Sequence, residues 1–185
     1  TPYLGGDIKV DKNHYLTKPA SIEDLRQGLR NFYCYVEEKG VISFTDNSEQ
    51  NSSVEAGMLW HKLQRSYTDI GLQLEALNFI PVSGEAVELM RVTVKNISKD
   101  KRTITPTFNL PIFGRELANK HDHEHVTSLM HRIQQLPNGV CVKPTMVFDE
   151  RGHQANETVY YVLGQDANGA NPVGTFPTVE SFYGD

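Results

Sequence analysis

From Asn31 to Gly164 the chain is a succession of short runs rich in valine, isoleucine, threonine, phenylalanine and tyrosine, each bounded by glycine, asparagine, aspartate or proline. Side chains of this kind suit a pleated, half-buried surface, and the punctuation between them stops a helix from propagating. The runs are NFYCYVEE (31–38), VISFTD (41–46), GMLWHKLQRSYT (57–68), IGLQLEALNFIPV (70–82) and AVELMRVTVKNIS (86–98). RTITPTFNLPIF (102–113), HVTSLMHRIQQL (125–136), GVCVKPTMVF (139–148) and ETVYYVLG (157–164) follow. With no sustained helical period, this series predicts an all-β sandwich or barrel.

The periodicity inside the runs is informative. Ile70, Leu72, Leu74, Ala76 and Asn78 alternate with Gly71, Gln73, Glu75, Leu77 and Phe79, so this run predicts an antiparallel strand with one apolar face. In VELMRVTVKN apolar residues sit on both sides early and settle onto one side later, which predicts a twist or a change of layer. Ser83-Gly84, Asp149–Gly152 and Asn138-Gly139 supply turns, the last as a dipeptide that tolerates positive φ. Pro106, Pro111 and Pro144 each lack a ladder donor and are expected at edges, bulges or strand ends.

Residues 1–30 are more polar and read as an N-terminal extension, with a short helical turn at Ser21–Leu29. Residues 31–165 read as the sandwich. Residues 166–185, rich in glycine, asparagine and proline, read as a linker that ends without a final element.

At 185 residues the chain is long enough to bury roughly 70% of the surface its unfolded form exposes. A net charge of -5, with 18 basic residues scattered along the chain, gives no electrostatic footprint for nucleic acid. No apolar run reaches the roughly 18 residues of a spanning helix, and no secretory layout opens the chain, which reads as cytoplasmic. Cys34 and Cys141 lie in apolar runs and read as buried thiols, a single disulfide between them staying open.

The stretch HDHEHVTSLMHR (121–132) places His121, His123 and His125 on one face of a strand, about 6.6 Å apart. An HxH pair can offer two imidazoles to a metal, with His131 or the loop residue His153 as further donors. Three in-line histidines span about 13 Å and cannot share one ion. The competing reading is histidines hydrogen-bonded to carboxylates, and no metal or other cofactor is assigned. No G-x-S-x-G elbow and no phosphate-cradling glycine loop occurs. Asp122 and Glu124 read as solvated or ion-paired. Trp60, Phe32, Tyr33 and Tyr35 could stack on a sugar, although a lone tryptophan in an alternating run reads as core.

Four segments together, VEAGMLWHKLQRSYTDIGLQLEALNFIPV, LPIFGRELANKHDHEHVTSLMHRI, KPTMVFDERGHQANETVYYVLG and GTFPTVESFYGD, resemble the N-terminal region of the disaccharide phosphorylases of glycoside hydrolase family 94. The likeness is to cellobiose-phosphorylase-like members and to those related to cyclic β-1,2-glucan synthesis. It runs from about Leu29 to the C-terminus, and DHEHVTSLMHRI is its most specific part, with Glu124 where the family carries a basic residue. The resemblance implies a two-layer antiparallel β-supersandwich, galactose-mutarotase-like, with little helix. It implies that an (α/α)6 barrel beyond this segment performs inverting transfer of a glycosyl unit to inorganic phosphate. No residue of this chain matches a catalytic motif, and none is assigned as catalytic.

What the resemblance implies here is a non-catalytic, carbohydrate-associated domain. Its partners would be the barrel of the same polypeptide, a second copy in a homodimer, and a β-gluco-oligosaccharide held by the full-length enzyme. Arg115, His123, His125, His131 and Arg132 are the candidates for a substrate rim or an interface. The alternatives are a free-standing oligosaccharide-binding module and, from another class, a histidine-metal hydrolase or oxygenase on a β-barrel.

Overall fold

The computed structural model describes residues 4–21, 30–46, 51–120, 130–149 and 152–184. The described residues form an all-β protein of several antiparallel sheets with very little helix. The chain divides into two compact units, Thr1–Gly6 with Ala20–Asn109, and Asp7–Pro19 with Leu110–Asp185. The span 31–165, expected as one sandwich, is therefore shared between the units. Residues 7–19, expected to belong to an extension, group with the second unit, to which backbone hydrogen bonds tie them.

The first unit is a sandwich of two sheets. One has the order β4(Gly40–Ser43)–β3(Asn31–Val36)–β9(Ile104–Asn109). The other has the order β5(Ser52–Gly57)–β6(Trp60–Tyr67)–β7(Leu72–Phe79)–β8(Leu89–Asn96). Their apolar faces meet in one core, where Phe32, Cys34, Val36, Ile42 and Phe44 from the first sheet pack with Leu63, Tyr67, Leu72, Leu74 and Ala76 from the second. Each large side chain enclosed there contributes about 1.5–3 kcal/mol relative to exposure. Burial also pushes the Cys34 thiol up to about 11, so it stays protonated and inert, and both cysteines are free.

β7 carries the predicted alternation: Leu72, Leu74, Ala76 and Asn78 are buried, and the residues between them are half-buried on the other face. β8 is simpler than expected. Met90, Val92 and Val94 pack against the core, Leu89 is exposed, and the strand alternates without a change of layer. Polar links also join the two layers, with the Tyr67 hydroxyl donating to the Ser43 carbonyl at 2.8 Å and Arg65 donating to Asp46 Oδ1 at 3.1 Å. Arg30, also buried, donates to the Leu4 carbonyl at 2.7 Å and pairs with Glu88.

Three departures from the sequence reading have local causes. β5, SSVEAG, has no apolar alternation and is almost wholly exposed; its ladder with β6, not burial, makes it a strand. The run expected to start at Gly57 breaks at Met58–Leu59, a turn closing the Gly57–Trp60 pair, with Leu59 at φ 61°. Trp60 then falls on the outer face and is 38% exposed, so it is not core. A left-handed backbone at a leucine costs about 1–2 kcal/mol. Leu59→Gly is therefore expected to raise the urea midpoint by an amount equivalent to about 1 kcal/mol, measured by equilibrium unfolding.

Pro106 lies on the edge strand β9 and Pro144 ends the strand β11(Gly139–Pro144), as the missing N–H requires. The second unit contains the sheet β10(His131–Leu136)–β11–β14(Tyr160–Leu163) and the hairpins β1(Lys9–Asp11)–β2(His14–Tyr15) and β12(Met146–Asp149)–β13(Gly152–Ala155). Asp149 pairs with Gly152 and Leu136 with Gly139, so the expected turns fall where the sequence puts them. The helical turn expected at Ser21–Leu29 lies almost wholly outside the described residues. The tail is not without an element: Thr178 and Ser181 form a reciprocal capping box that starts the short helix α1(Val179–Tyr183).

Candidate functional site

The polar residues of the second unit gather around Gly114. Tyr15 donates its N–H to the Arg115 carbonyl at 3.0 Å, Phe113 donates to the Leu16 carbonyl at 2.7 Å, and Leu117 donates to the Lys12 carbonyl at 2.9 Å. These bonds fasten the segment after Leu110 to β2 and its approach. A 3-10 turn, Leu117–Lys120, follows. Arg115, Glu116 and Asn119 are all buried, and the Arg115 guanidinium lies 5.8 Å from the centre of the Phe113 ring.

Gly114 has φ 61° and is crowded on the side where a side chain would point. A Cβ built there would stand 3.3 Å from Pro144, 3.4 Å from the Tyr160 ring and 3.5 Å from His131 Nε2. The glycine thus lets β10, β11 and β14 bring His131, Pro144 and Tyr160 against one backbone segment. The His131 Nε2 and the Tyr160 hydroxyl are enclosed and make no hydrogen bond among the described residues. Burial pushes the Tyr160 phenol up to about 12, helped by the charge of Asp11, so it remains a neutral donor. Burial, and then the charge of Arg115, hold His131 below the usual histidine value.

That lowered value has a pH consequence. Below pH about 6.5 the unfolded chain protonates this histidine while the folded chain resists, so folding loses stability as the pH falls through that value. Stability is full above it. Denaturant unfolding at pH 8 and pH 5.5 is expected to show a midpoint loss at the lower pH that shrinks in His131→Asn.

Of the five candidates, Arg115 and His131 come together. Arg132 is exposed, opposite Lys143 in the ladder and on the other face of β10 from His131. His123 and His125, with His121, lie outside the described residues. His153 belongs to strand β13, not to a loop. Among the described residues no three of the histidines, cysteines and carboxylates stand close enough to hold a metal ion. Also among them, no helix is long and apolar enough to cross a membrane.

Tyr160 and Gly114 were not singled out by the sequence. The available signals were a charged pair, Arg115-Glu116, directly after an apolar run, and the doubled tyrosine of ETVYYVLG, one of which must face inward. Chemically the cluster offers a guanidinium, a neutral phenol and a neutral imidazole. These are groups that orient and hydrogen-bond, without the nucleophile and base pair of a covalent mechanism.

The fold therefore defines an all-β protein of antiparallel sheets with an enclosed polar cluster. The chain matches no family model, and no curated protein sequence matches it.

Proposed function

We propose that the chain is the non-catalytic N-terminal domain of an inverting β-glucoside phosphorylase of glycoside hydrolase family 94, acting in the cytoplasm. It packs against an (α/α)6 barrel of the same polypeptide, takes part in dimerisation and shapes the site where that barrel holds a β-gluco-oligosaccharide. The sequence resemblance and the all-β architecture support this reading. The observation that carries it is the convergence of Arg115, His131 and Tyr160 around Gly114. Arg115 and His131 lie in the segment LPIFGRELANKHDHEHVTSLMHRI, and His131 in DHEHVTSLMHRI, the part that bears the resemblance most specifically.

A guanidinium, a neutral phenol and a neutral imidazole do not replace a general acid and a phosphate pocket, which this reading puts in the barrel. The isolated chain, given cellobiose or sophorose with inorganic phosphate, is expected to release no glucose 1-phosphate. The enzyme containing it as its N-terminal segment is expected to release it. Turnover by the isolated chain would refute the non-catalytic assignment, and a reading frame encoding no helical barrel after residue 185 would refute the parent enzyme.

A further inference from the structure

The two cysteines and four methionines are the side chains of this protein that peroxide oxidises most readily, and the fold separates them by access. Cys34 is wholly enclosed in the core of the first unit, and Cys141 is 8% exposed on β11. Met130 is 7% exposed, Met90 packs against the core from β8, and Met146 is half-buried on β12. Met58 is 89% exposed.

Met58 owes that exposure to the turn it occupies. Met58 and Leu59 are the two residues of a hairpin loop closed by the Gly57–Trp60 pair. Leu59 is fastened from the far side, its carbonyl accepting from the Ile80 N–H at 2.9 Å. The Trp60 indole lies against Gly57, since a Cβ built on this glycine would stand 2.4 Å from the indole Nε1. With the indole over the hairpin and Leu59 tied to the chain after β7, no described residue closes over Met58, and its thioether stands in solvent.

We infer that Met58 is the residue at which hydrogen peroxide modifies this protein, as a reversible sulfoxide. The thioether sulfur attacks one peroxide oxygen, the O–O bond breaks and an S=O bond forms. The sulfur gives up two electrons and the peroxide takes them. The proton of the transferred oxygen passes to the departing hydroxide, which leaves as water.

Thiolates are ordinarily the first targets of peroxide, because the thiolate is a strong nucleophile. Here both thiols are shut away, and burial keeps the Cys34 thiol protonated. A buried group reacts only from the small fraction of chains opened around it, whereas Met58 reacts in the folded state.

The product changes the surface it stands on. Leu59 and its backbone-bonded neighbour Ile80 are also exposed apolar side chains, at 49% and 44%. Oxidation turns the most exposed of the three into a polar side chain, so the sulfoxide form presents less apolar surface at this tip.

This inference does not rest on the phosphorylase reading, and each survives the failure of the other. The full chain is treated with hydrogen peroxide, quenched at intervals and mapped by peptide mass spectrometry. One added oxygen is expected on Met58 about tenfold faster or more than on Met90, Met130 or Met146, with Cys34 and Cys141 still free thiols. In denaturing urea that lead is expected to vanish. Met58→Leu, at an exposed turn position that leaves the core intact, is expected to abolish the fast phase. Methionine sulfoxide reductase with dithiothreitol is expected to remove the added oxygen. The oxidised chain and Met58→Gln are both expected to elute earlier than the parent from a hydrophobic-interaction column. An unreacted Met58 in the folded chain, a buried methionine that keeps pace with it, a thiol oxidised first, or a lead that persists in urea would each overturn the proposal.

Discussion

Gly139→Ala is expected to destabilise the second unit by about 3 kcal/mol or more, beyond ordinary overpacking, because the clash is with backbone. A Cβ at this position would lie 2.0 Å from the Val162 carbonyl oxygen and 2.9 Å from the Leu163 Cα. Gly139 is paired with Leu163 at the start of β11, so the added methyl must push β14 out of its ladder. A flexible side chain could swing aside; a paired strand cannot. The check is equilibrium unfolding in urea followed by circular dichroism, with Gly164→Ala as control. The methyl of that control meets only Pro172, at 3.9 Å, and is expected to change stability by no more than about 0.5 kcal/mol. Coincident midpoints for Gly139→Ala and the parent would refute the close approach of β14.

Phe44→Ala is the corresponding experiment in the first unit. Phe44 follows β4, is wholly enclosed, and is held in place by its N–H donating to the Phe32 carbonyl at 2.9 Å. Truncating a buried phenylalanine removes its transfer free energy and leaves a cavity, and together these cost about 3–5 kcal/mol. With a urea dependence of about 2 kcal/mol per molar, the midpoint falls by about 2 M. Val41→Ala, within β4 but 64% exposed, is expected to shift it far less. Equal effects at the two positions would mean that the core does not lie between these sheets.

The strands with strong alternation were legible because a half-buried strand must carry its apolar residues at every second position. β7 is the clearest case, down to Asn78, which continues the inward face and reaches His61 Nδ1 at 3.3 Å. The hairpins at Asp149–Gly152 and Leu136–Gly139 were legible for a related reason, since few residues suit such turns. β1, β2, β5 and β13 were not. These short or exposed strands owe their conformation to partners elsewhere in the chain, and pairing leaves no periodic mark on an exposed edge. Trp60 was misplaced although it has the parity of Lys62, Gln64 and Ser66, which puts it on the outer face of β6, opposite the buried Leu63, Arg65 and Tyr67.

The candidate cluster divides in the same way. Arg115 and His131 could be named from the sequence, but their meeting depends on Gly114, whose missing side chain leaves room for His131, Pro144 and Tyr160. Arg132, adjacent to His131, points the other way because successive residues of a strand do.

By itself the amino-acid order determined an all-β protein, since the period of its apolar residues and the placing of its turn formers are local properties of the chain. Tertiary structure alone decided that strands distant in sequence share one core, that Arg115 stands beside His131, and that Trp60 lies exposed on the outer face of a sheet. Those outcomes depend on which strands pair and in what register, and that choice is made by the burial of whole faces against one another.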